Sequence, residues 1–420
     1  MTLGTSVDAA PRLGFPRVAE LTLVAVCVAQ ASFLALALVQ GHWLILPEGG
    51  SPDTDFVNVW AAGRLVQDGQ PFAAYDWTVH KAAEEAALGH AFPSYYPWFY
   101  PPPFLFAAAL VACFPYVPAF VAWLAATLSA YVLAMRAITG HAIGILVACA
   151  FPAVLTNAMT GQNGCLSAAL IGGALHLMER RPALAGALIG LLTYKPHLGL
   201  LFPLVLAASG RWRTFAAAAL VTVLVAALSW LAFGSGTWEA FWRAMPVLSQ
   251  AVMTDGRGDF AKVQSVYALI RNLGGGEPLA WALHAAVVAV TAAGLVALWR
   301  SRAPFELKAA ALAVGALLVT PYLYIYDLVV LAVPIAFLVR LGLVGGFLPG
   351  ELPALALAGL LIAAFLVVNF PAGLIAIGIV AALTVRRLHA VRAYGRDASA
   401  LPASDGKEIR ARADSPALSR

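Results

Sequence analysis

Residues 51–103 read SPDTDFVNVWAAGRLVQDGQPFAAYDWTVHKAAEEAALGHAFPSYYPWFYPPP and interrupt an otherwise apolar chain. Between positions 47 and 103 there are seven acidic residues and two basic ones. The whole chain of 420 residues is 61% hydrophobic and 11% charged. Because a soluble domain carries about 25% charged residues, this composition predicts a polytopic membrane protein in which 47–103 is a large polar loop.

The distribution of basic residues predicts which side of the membrane the loop faces. Arg12 and Arg17 precede the first apolar run, 18–46, and Lys and Arg are enriched at the cytoplasmic ends of spans. The segment 1–17 is therefore predicted to be cytoplasmic, and the loop 47–103 extracytoplasmic. The net charge of +5 comes from basic residues scattered between apolar runs. This pattern orients spans and does not indicate nucleic-acid binding.

The same reasoning along the chain predicts an all-α bundle of about twelve membrane crossings over residues 18–385. The apolar segment 182–210 has arginines at both ends. It is too short for two spans of ~20 residues each, so we predict two half-helices that break at Tyr194–His197. The other predicted features are a short helix dipping in at 104–114, a glycine-rich outer loop at 234–262 and a disordered cytoplasmic tail at 386–420.

Two amphipathic helices are predicted within the polar loop, at 54–68 and 77–90, lying along the membrane surface. In the first helix, apolar residues recur at helical spacing. Asp53 or Thr54 could cap this helix. Asp55 would then lie in its first turn, where a carboxylate suits the helix dipole.

Under this topology, the polar residues of the apolar region gather at the outer face of the membrane. Ionisable groups in or near spans are costly and usually face a cavity or a pathway, so the pattern predicts an outward-facing site. The residues concerned are Asp55, Gln162, Asn163, Lys195, His197, Gln264, Arg271 and Asp327.

Several of these residues have both a structural and a functional interpretation. Asp55 is either a capping carboxylate or a base for an acceptor hydroxyl. Gln162 and Asn163 either end two helices or donate hydrogen bonds to a substrate. Lys195 is too far along the chain from the cytoplasmic arginines for its ammonium group to extend back to that side of the membrane. This favours a role as the cation for a lipid phosphate. The aromatic run Tyr95–Tyr100 is interpreted as an interfacial belt, with stacking on a sugar as the alternative.

Other classes of protein find less support in the sequence. The four cysteines lie in apolar runs, without the spacing of a disulfide framework or a metal site. No HExxH, P-loop or GxSxG element is present. A secondary transporter is the alternative, because transporters also place broken helices at a binding site. It predicts a second broken helix in the other half of the chain. A non-catalytic membrane scaffold is a third interpretation.

Several short motifs, in their order along the chain, resemble glycosyltransferase family 87. Where that family often has Lys-Pro-Gln, this chain has Lys195-Pro196-His197, which leaves residue 197 without an assigned role. The motifs are Asp55-Phe56, Trp60-Ala61-Ala62-Gly63-Arg64, GQPFAAYD at 69–76, Tyr100-Pro101-Pro102-Pro103-Phe104, Gly161-Gln162-Asn163, GLLTYKP at 190–196 and Tyr326-Asp327-Leu328.

The resemblance implies a glycosyltransferase of the C-type (GT-C) fold, in the plasma (inner) membrane with its site facing outside. It implies inverting transfer of a sugar from a polyprenyl-phosphate donor to a lipid or glycan acceptor. A hexose, mannose, is favoured, and another sugar such as the pentose arabinose is open. Asp55 matches the essential carboxylate of the family's first outer loop. Lys195 matches a family lysine, to which we assign the donor phosphate as a hypothesis. The remaining predicted substrate-binding residues are Gln162, Asn163, Asp327, Arg64 and Arg271.

No cofactor or metal is expected for such a reaction. A polyprenyl phosphate is already a good leaving group. Its departure therefore depends more on neutralising its negative charge than on protonating its oxygen, and a nearby cation neutralises that charge. Asp53 and Asp55 do read D-T-D, which leaves metal dependence as the open alternative. The predicted partners are the lipid-linked donor, the acceptor and membrane lipid, without nucleic acid.

Overall fold

The computed structural model describes residues 14–365 and 367–400, with 394–400 described by their backbone alone. Within these residues the chain is all-helical, as predicted, and forms no strand. The α-helices are α1 (Arg17–Val39), α2 (Phe56–Gln67), α3 (Trp77–Leu88), α4 (Leu105–Val111), α5 (Tyr116–Thr139), α6 (Ile143–Cys149), α7 (Pro152–Thr160), α8 (Gly164–Leu177), α9 (Pro182–Leu191), α10 (Pro196–Gly199), α11 (Leu201–Ala208), α12 (Trp212–Ser249), α13 (Val266–Asn272), α14 (Glu277–Arg300), α15 (Phe305–Leu318), α16 (Ala332–Gly345), α17 (Glu351–Ala364) and α18 (Ala372–Ala400).

Six of the described helices are long and apolar enough to cross a membrane, or seven if the bent pair α6–α7 is one span. The protein is therefore a multi-pass membrane protein, as predicted. The predicted count of about twelve crossings is not confirmed. Apolar runs that the sequence presents as spans form shorter helices, such as α8 and α17 with 14 residues each, whereas a crossing needs ~20.

The predicted break near Lys195 is confirmed. After α9, the chain makes a turn of 3-10 helix at Leu192–Tyr194, and Lys195 itself has non-helical angles before α10 and α11 follow. At the two ends of this segment, the Arg211 guanidinium lies 3.2 Å from the Glu179 carboxylate. Because the start and end of the segment meet, α9 and α11 form a hairpin with Lys195 at its apex.

The region after residue 233 differs from the predicted glycine-rich loop. Gly234 has a φ of +78° and bends the chain, but the helix resumes beyond it and runs to Ser249. A π-helical turn, Gln250–Thr254, then ends it. Aromatic side chains explain the second half of α12, since Phe241 packs edge-on against Tyr75 at 5.7 Å between ring centroids. The predicted loop 234–262 is thus wrong for 235–254, and the irregular loop begins at Asp255.

Helices form at both predicted places in the polar loop, but the first does not lie along a surface. Most of α2 is buried, including its first two residues, Phe56 and Val57. The predicted amphipathic character at the membrane surface is therefore not confirmed. Asp76 caps α3 by accepting the Thr78 and Val79 backbone N–H groups at 2.9 and 3.3 Å. The loop is folded into the body of the protein, where it can shape a site.

The C-terminal helix extends beyond the predicted start of a disordered tail. α18 continues to Ala400, so a tail beginning at residue 386 is wrong for 386–400. Near the predicted start of the tail, the helix is held by a buried ion pair, in which the Arg387 guanidinium donates to both oxygens of Glu351 at 2.5 Å. The predictions for residues 1–13 and 401–420 fall outside the described residues.

Candidate functional site

Asp55 stands at the beginning of α2, yet its side chain does not cap the helix. It occupies the N-cap position and makes no side-chain capping hydrogen bond. Its carboxylate instead accepts a hydrogen bond from the Gln162 amide nitrogen at 2.9 Å. The side chain is partly exposed. The capping interpretation is therefore wrong, and the carboxylate remains accessible to a second molecule.

A chain of hydrogen bonds leads from Asp55 into the protein. The Tyr100 hydroxyl donates to the Gln162 amide oxygen at 3.3 Å, and Asn163 donates to the Tyr100 hydroxyl at 2.8 Å. These bonds orient the amide so that its N–H₂ group faces the carboxylate, which can only accept. Gly161, with a φ of +67°, makes the turn between α7 and α8 that carries both amides. Gln162 and Asn163 thus donate within the protein, to Asp55 and Tyr100. Donation to a substrate stays a prediction.

Lys195 and Asp327 form a buried ion pair. The Lys195 ammonium lies 2.6 Å from an Asp327 carboxylate oxygen, and the two residues are 5% and 1% exposed. The ammonium also lies 5.2 Å from the centre of the Tyr326 ring. The apex of the α9–α11 hairpin is therefore held against the segment before α16 by opposite charges.

The amide turn and the ion pair belong to one site. The Tyr194 hydroxyl, next to Lys195, bonds to the Ser167 hydroxyl at 2.6 Å, and its ring lies over that of Tyr100. Close to Asp327, the Tyr326 carbonyl comes so near to Gly164 that an added Cβ would lie 2.1 Å from its oxygen. We call the set Asp55, Tyr100, Gln162, Asn163, Lys195 and Asp327 the carboxylate–lysine site.

The surroundings of Asp55 raise the pKa of its carboxyl group. Burial is the largest cause, and it is opposed by the hydrogen bond from Gln162 and by the positive charges of Lys262 and Lys195. A carboxylate with a raised pKa is a better proton acceptor than an ordinary one. Two lysines therefore act on the same carboxylate, Lys195 within the site and Lys262 from outside the set defined above.

Two residues predicted for substrate binding lie elsewhere. Arg64 is nine residues beyond Asp55, about 13 Å along a helix, and contacts Gln67 and Asp68 of its own helix. Arg271 donates to the Thr254 carbonyl at 3.0 Å and pairs with Glu277 at 3.6 Å. Arg64 thus makes contacts at the end of its own helix, and Arg271 joins neighbouring segments. None of these contacts is with a residue of the carboxylate–lysine site.

Gln264 and His197, which the topology also put at the outer face, have structural contacts. Gln264 is fully buried, and its side chain donates to the Ala261 carbonyl and accepts the Gly373 backbone N–H. The contact of His197 is through its backbone carbonyl, which accepts a hydrogen bond from Thr320, whereas its buried ring nitrogen Nε2 has no hydrogen-bond partner among the described residues. Neither contact leads to Asp55.

Sequence reasoning missed Tyr100 of the site and Lys262, whose charge acts on the site from outside it. Tyr100 was interpreted as part of an aromatic belt, but Tyr100 and Trp98 are buried at 8% and 1% exposure. The prolines after Tyr100 were the available signal, because they fix the direction in which the run enters the protein. Lys262, whose charge acts on Asp55, lies in a loop without a distinctive sequence pattern. Nothing in the sequence around it indicates that it lies near Asp55.

Asp53 does not join Asp55 in a D-T-D cluster. Its carboxylate accepts a hydrogen bond from the Ser94 hydroxyl at 2.5 Å. Among the described residues, no three His, Cys, Asp or Glu side chains come together in a way that could hold a metal ion. The expectation that no metal is required stays a prediction.

Comparison with known proteins identifies the class of enzyme. No curated protein and no solved structure matches the chain. A family model, glycosyltransferase family 87, matches residues 98–321. The match includes Tyr100, Gln162, Asn163 and Lys195, and it favours an enzyme over the transporter and scaffold alternatives. Because it covers more than half of the 420 residues, the chain belongs to glycosyltransferase family 87 and is a membrane glycosyltransferase.

Proposed function

We propose that the enzyme transfers a hexose, with mannose as the first candidate, from a polyprenyl-phosphate donor to a lipid or glycan acceptor. Transfer takes place with inversion on the extracytoplasmic side of the plasma membrane. The observation that carries the proposal is the partly exposed carboxylate of Asp55, oriented by Gln162 and lying within the field of Lys195 and Lys262. This arrangement provides a proton acceptor beside positive charge.

Asp55 acts as the base in this reaction. It accepts the proton of an acceptor hydroxyl while the hydroxyl oxygen attacks the anomeric carbon of the donor sugar. The bond between that carbon and the phosphate oxygen breaks, and its electron pair leaves with the polyprenyl phosphate. A single displacement of this kind inverts the anomeric centre. Positive charge beside the phosphate stabilises the negative charge that develops there.

A groove beside the site supports a lipid-linked donor. It has a volume of about 410 Å³, runs between the α9–α11 hairpin and α12, and is lined almost entirely by apolar residues. Thr193 and Pro196, two residues before and one residue after Lys195, form part of its wall. An isoprenoid chain lying in this groove would bring its phosphate to the apex of the hairpin.

The donor class is tested with the purified enzyme in vesicles, supplied with radiolabelled mannose on polyprenyl phosphate or on a nucleotide. We expect label to appear in an acceptor extract only from the lipid-linked donor. Polyprenyl-phosphate-linked glucose and arabinose serve as the comparison for sugar identity. Transfer from the nucleotide sugar and not from the lipid would refute the proposal. Anomeric configuration of the product, read by NMR, tests inversion separately.

The rate of transfer is expected to fall at acid pH because the Asp55 carboxylate becomes protonated. The base must be ionised, and its pKa is raised by burial, so kcat/KM should fall as the pH drops through a value above the ordinary carboxylate range near 4. The hydrogen bond from Gln162 favours the ionised form. Gln162→Met should therefore move the acid limb to higher pH. A limb that moves to lower pH would contradict the assignment of Asp55.

A further inference from the structure

The loop that carries Lys262 is joined to the chain segment that leads to Asp327. The Gln264 backbone N–H donates to the Leu323 carbonyl at 2.5 Å, and the Ile325 N–H donates to the Lys262 carbonyl at 3.0 Å. Between them, Val263 and Tyr324 form an antiparallel bridge. Lys262 therefore lies beside Ile325, two residues before the counter-ion of Lys195.

The backbone around Lys262 is anchored, whereas its side chain is exposed. The buried Gln264 side chain ties the loop to α18 by accepting the Gly373 N–H at 2.9 Å. On the other side, the Asp259 carboxylate accepts the Ala261 N–H at 3.0 Å. Lys262 itself is exposed to the surroundings. The backbone that carries the ammonium group is thus held in place, and the ammonium group can reach a bound molecule.

The two lysines near Asp55 differ in how their charges are compensated. Lys195 is 2.6 Å from Asp327, so the pair has no net charge to offer an anion. In the described part of the chain, Lys262 forms no ion pair within 4 Å. Burial raises the pKa of Asp55, and of the two positive charges that oppose it, Lys262 has the larger effect. The uncompensated positive charge beside the base therefore belongs to Lys262.

We propose that Lys262 binds the phosphate of the lipid-linked donor, while the Lys195–Asp327 pair holds the hairpin apex in position. This inference rests on the proposed function. The donor is a phosphodiester with one negative charge. When the bond to the anomeric carbon breaks, its electron pair stays on the phosphate oxygen, and the leaving phosphomonoester gains a second negative charge. The Lys262 ammonium stabilises this charge as it develops, so Lys262 contributes to transition-state stabilisation as well as to binding.

The test compares Lys262→Gln and Lys262→Arg with the matched variant Arg257→Gln. Arg257 is an exposed cation of the same loop whose charge acts on the Tyr95 hydroxyl. Lys262→Gln is expected to lower kcat/KM for the donor by about 10²-fold, the range for loss of one group that stabilises developing charge. It should also weaken inhibition by polyprenyl phosphate. Lys262→Arg should retain most of the activity, and Arg257→Gln should remain near wild type.

The outcomes separate this inference from the proposed function. Normal donor kinetics in Lys262→Gln, beside an inactive Asp55→Asn enzyme, would overturn the role of Lys262 alone. An equal loss in Arg257→Gln would also overturn it, because the effect would then belong to the general charge of the loop. If the wild type transfers no lipid-linked sugar, the proposed function fails. Binding of polyprenyl phosphate to Asp55→Asn, with and without Lys262→Gln, then decides the role of Lys262, and equal affinities would refute it.

Discussion

Replacing Asp55 by asparagine is expected to reduce sugar transfer by about 10²- to 10⁴-fold, the range for loss of a general base. Asparagine keeps the size of the side chain but cannot accept a proton from the acceptor hydroxyl. Its oxygen can still accept the hydrogen bond from Gln162, which in the wild-type enzyme is 2.9 Å long. The fold should therefore persist while the chemistry is lost. The measurement is transfer of radiolabelled sugar at matched expression, together with the thermal midpoint in detergent.

Asp53→Asn is the matched control for this variant. Asp53 lies two residues away and accepts a hydrogen bond from Ser94, a bond that the amide oxygen of asparagine can also accept. Its activity should stay within a few-fold of the wild type. If the Asp53 variant were inactive and the Asp55 variant active, the base would have been assigned to the wrong carboxylate.

Removing Lys195 is expected to have the largest effect on stability. Lys195→Met leaves the Asp327 carboxylate buried and without its cation, and breaking a buried pair in this way costs about 3–5 kcal/mol. The double variant Lys195→Met/Asp327→Leu removes both charges and should recover most of the lost stability, since apolar replacements of buried pairs are often neutral. Thermal unfolding of the wild type, Lys195→Met, Asp327→Leu and the double variant in one detergent gives the coupling between the two residues.

Transfer by the double variant then separates structure from substrate binding. If Lys195 only holds the hairpin, a stable double variant should retain substantial transfer. A stable double variant with an undiminished thermal midpoint and no detectable transfer would return the donor phosphate to Lys195. If the double variant and Lys195→Met have equally low thermal midpoints, the claim that Lys195 and Asp327 compensate each other's buried charge is wrong.

The sequence predicted those parts of the fold that follow from local chemistry. Proline at 196 and arginines at both ends of 182–210 predicted the hairpin, because proline removes a helical hydrogen bond and arginines favour one side of the membrane. The count of crossings could not be predicted in the same way. Hydropathy measures how apolar a segment is and does not fix the length of the helix it forms. The helices α8 and α17 are apolar, but each is too short to cross a membrane alone.

For the site, the residue types were predictable and their pairing was not. Asp55, Gln162, Asn163, Lys195 and Asp327 stand out as polar residues in an apolar chain. Nothing in their spacing indicates that Lys195 is compensated by Asp327 rather than free for a phosphate. Lys262 illustrates the opposite case, because an exposed lysine in a polar loop is ordinary until the bridge between Val263 and Tyr324 brings it beside the site.

The ion pair between Lys195 and Asp327 also imposes an order in time. The two residues are 132 positions apart, so at typical rates of synthesis Lys195 emerges from the ribosome on the order of ten seconds before its counter-ion. During this interval the hairpin of α9 and α11 exists with an uncompensated charge at its apex, and a lone charge is costly within a bilayer. We therefore expect the hairpin to settle at its final depth when the segment containing Asp327 arrives. Assembly of this site is therefore a late step in the biogenesis of the enzyme, and a chain interrupted before residue 327 would expose an unpaired lysine to the machinery that recognises misassembled membrane proteins.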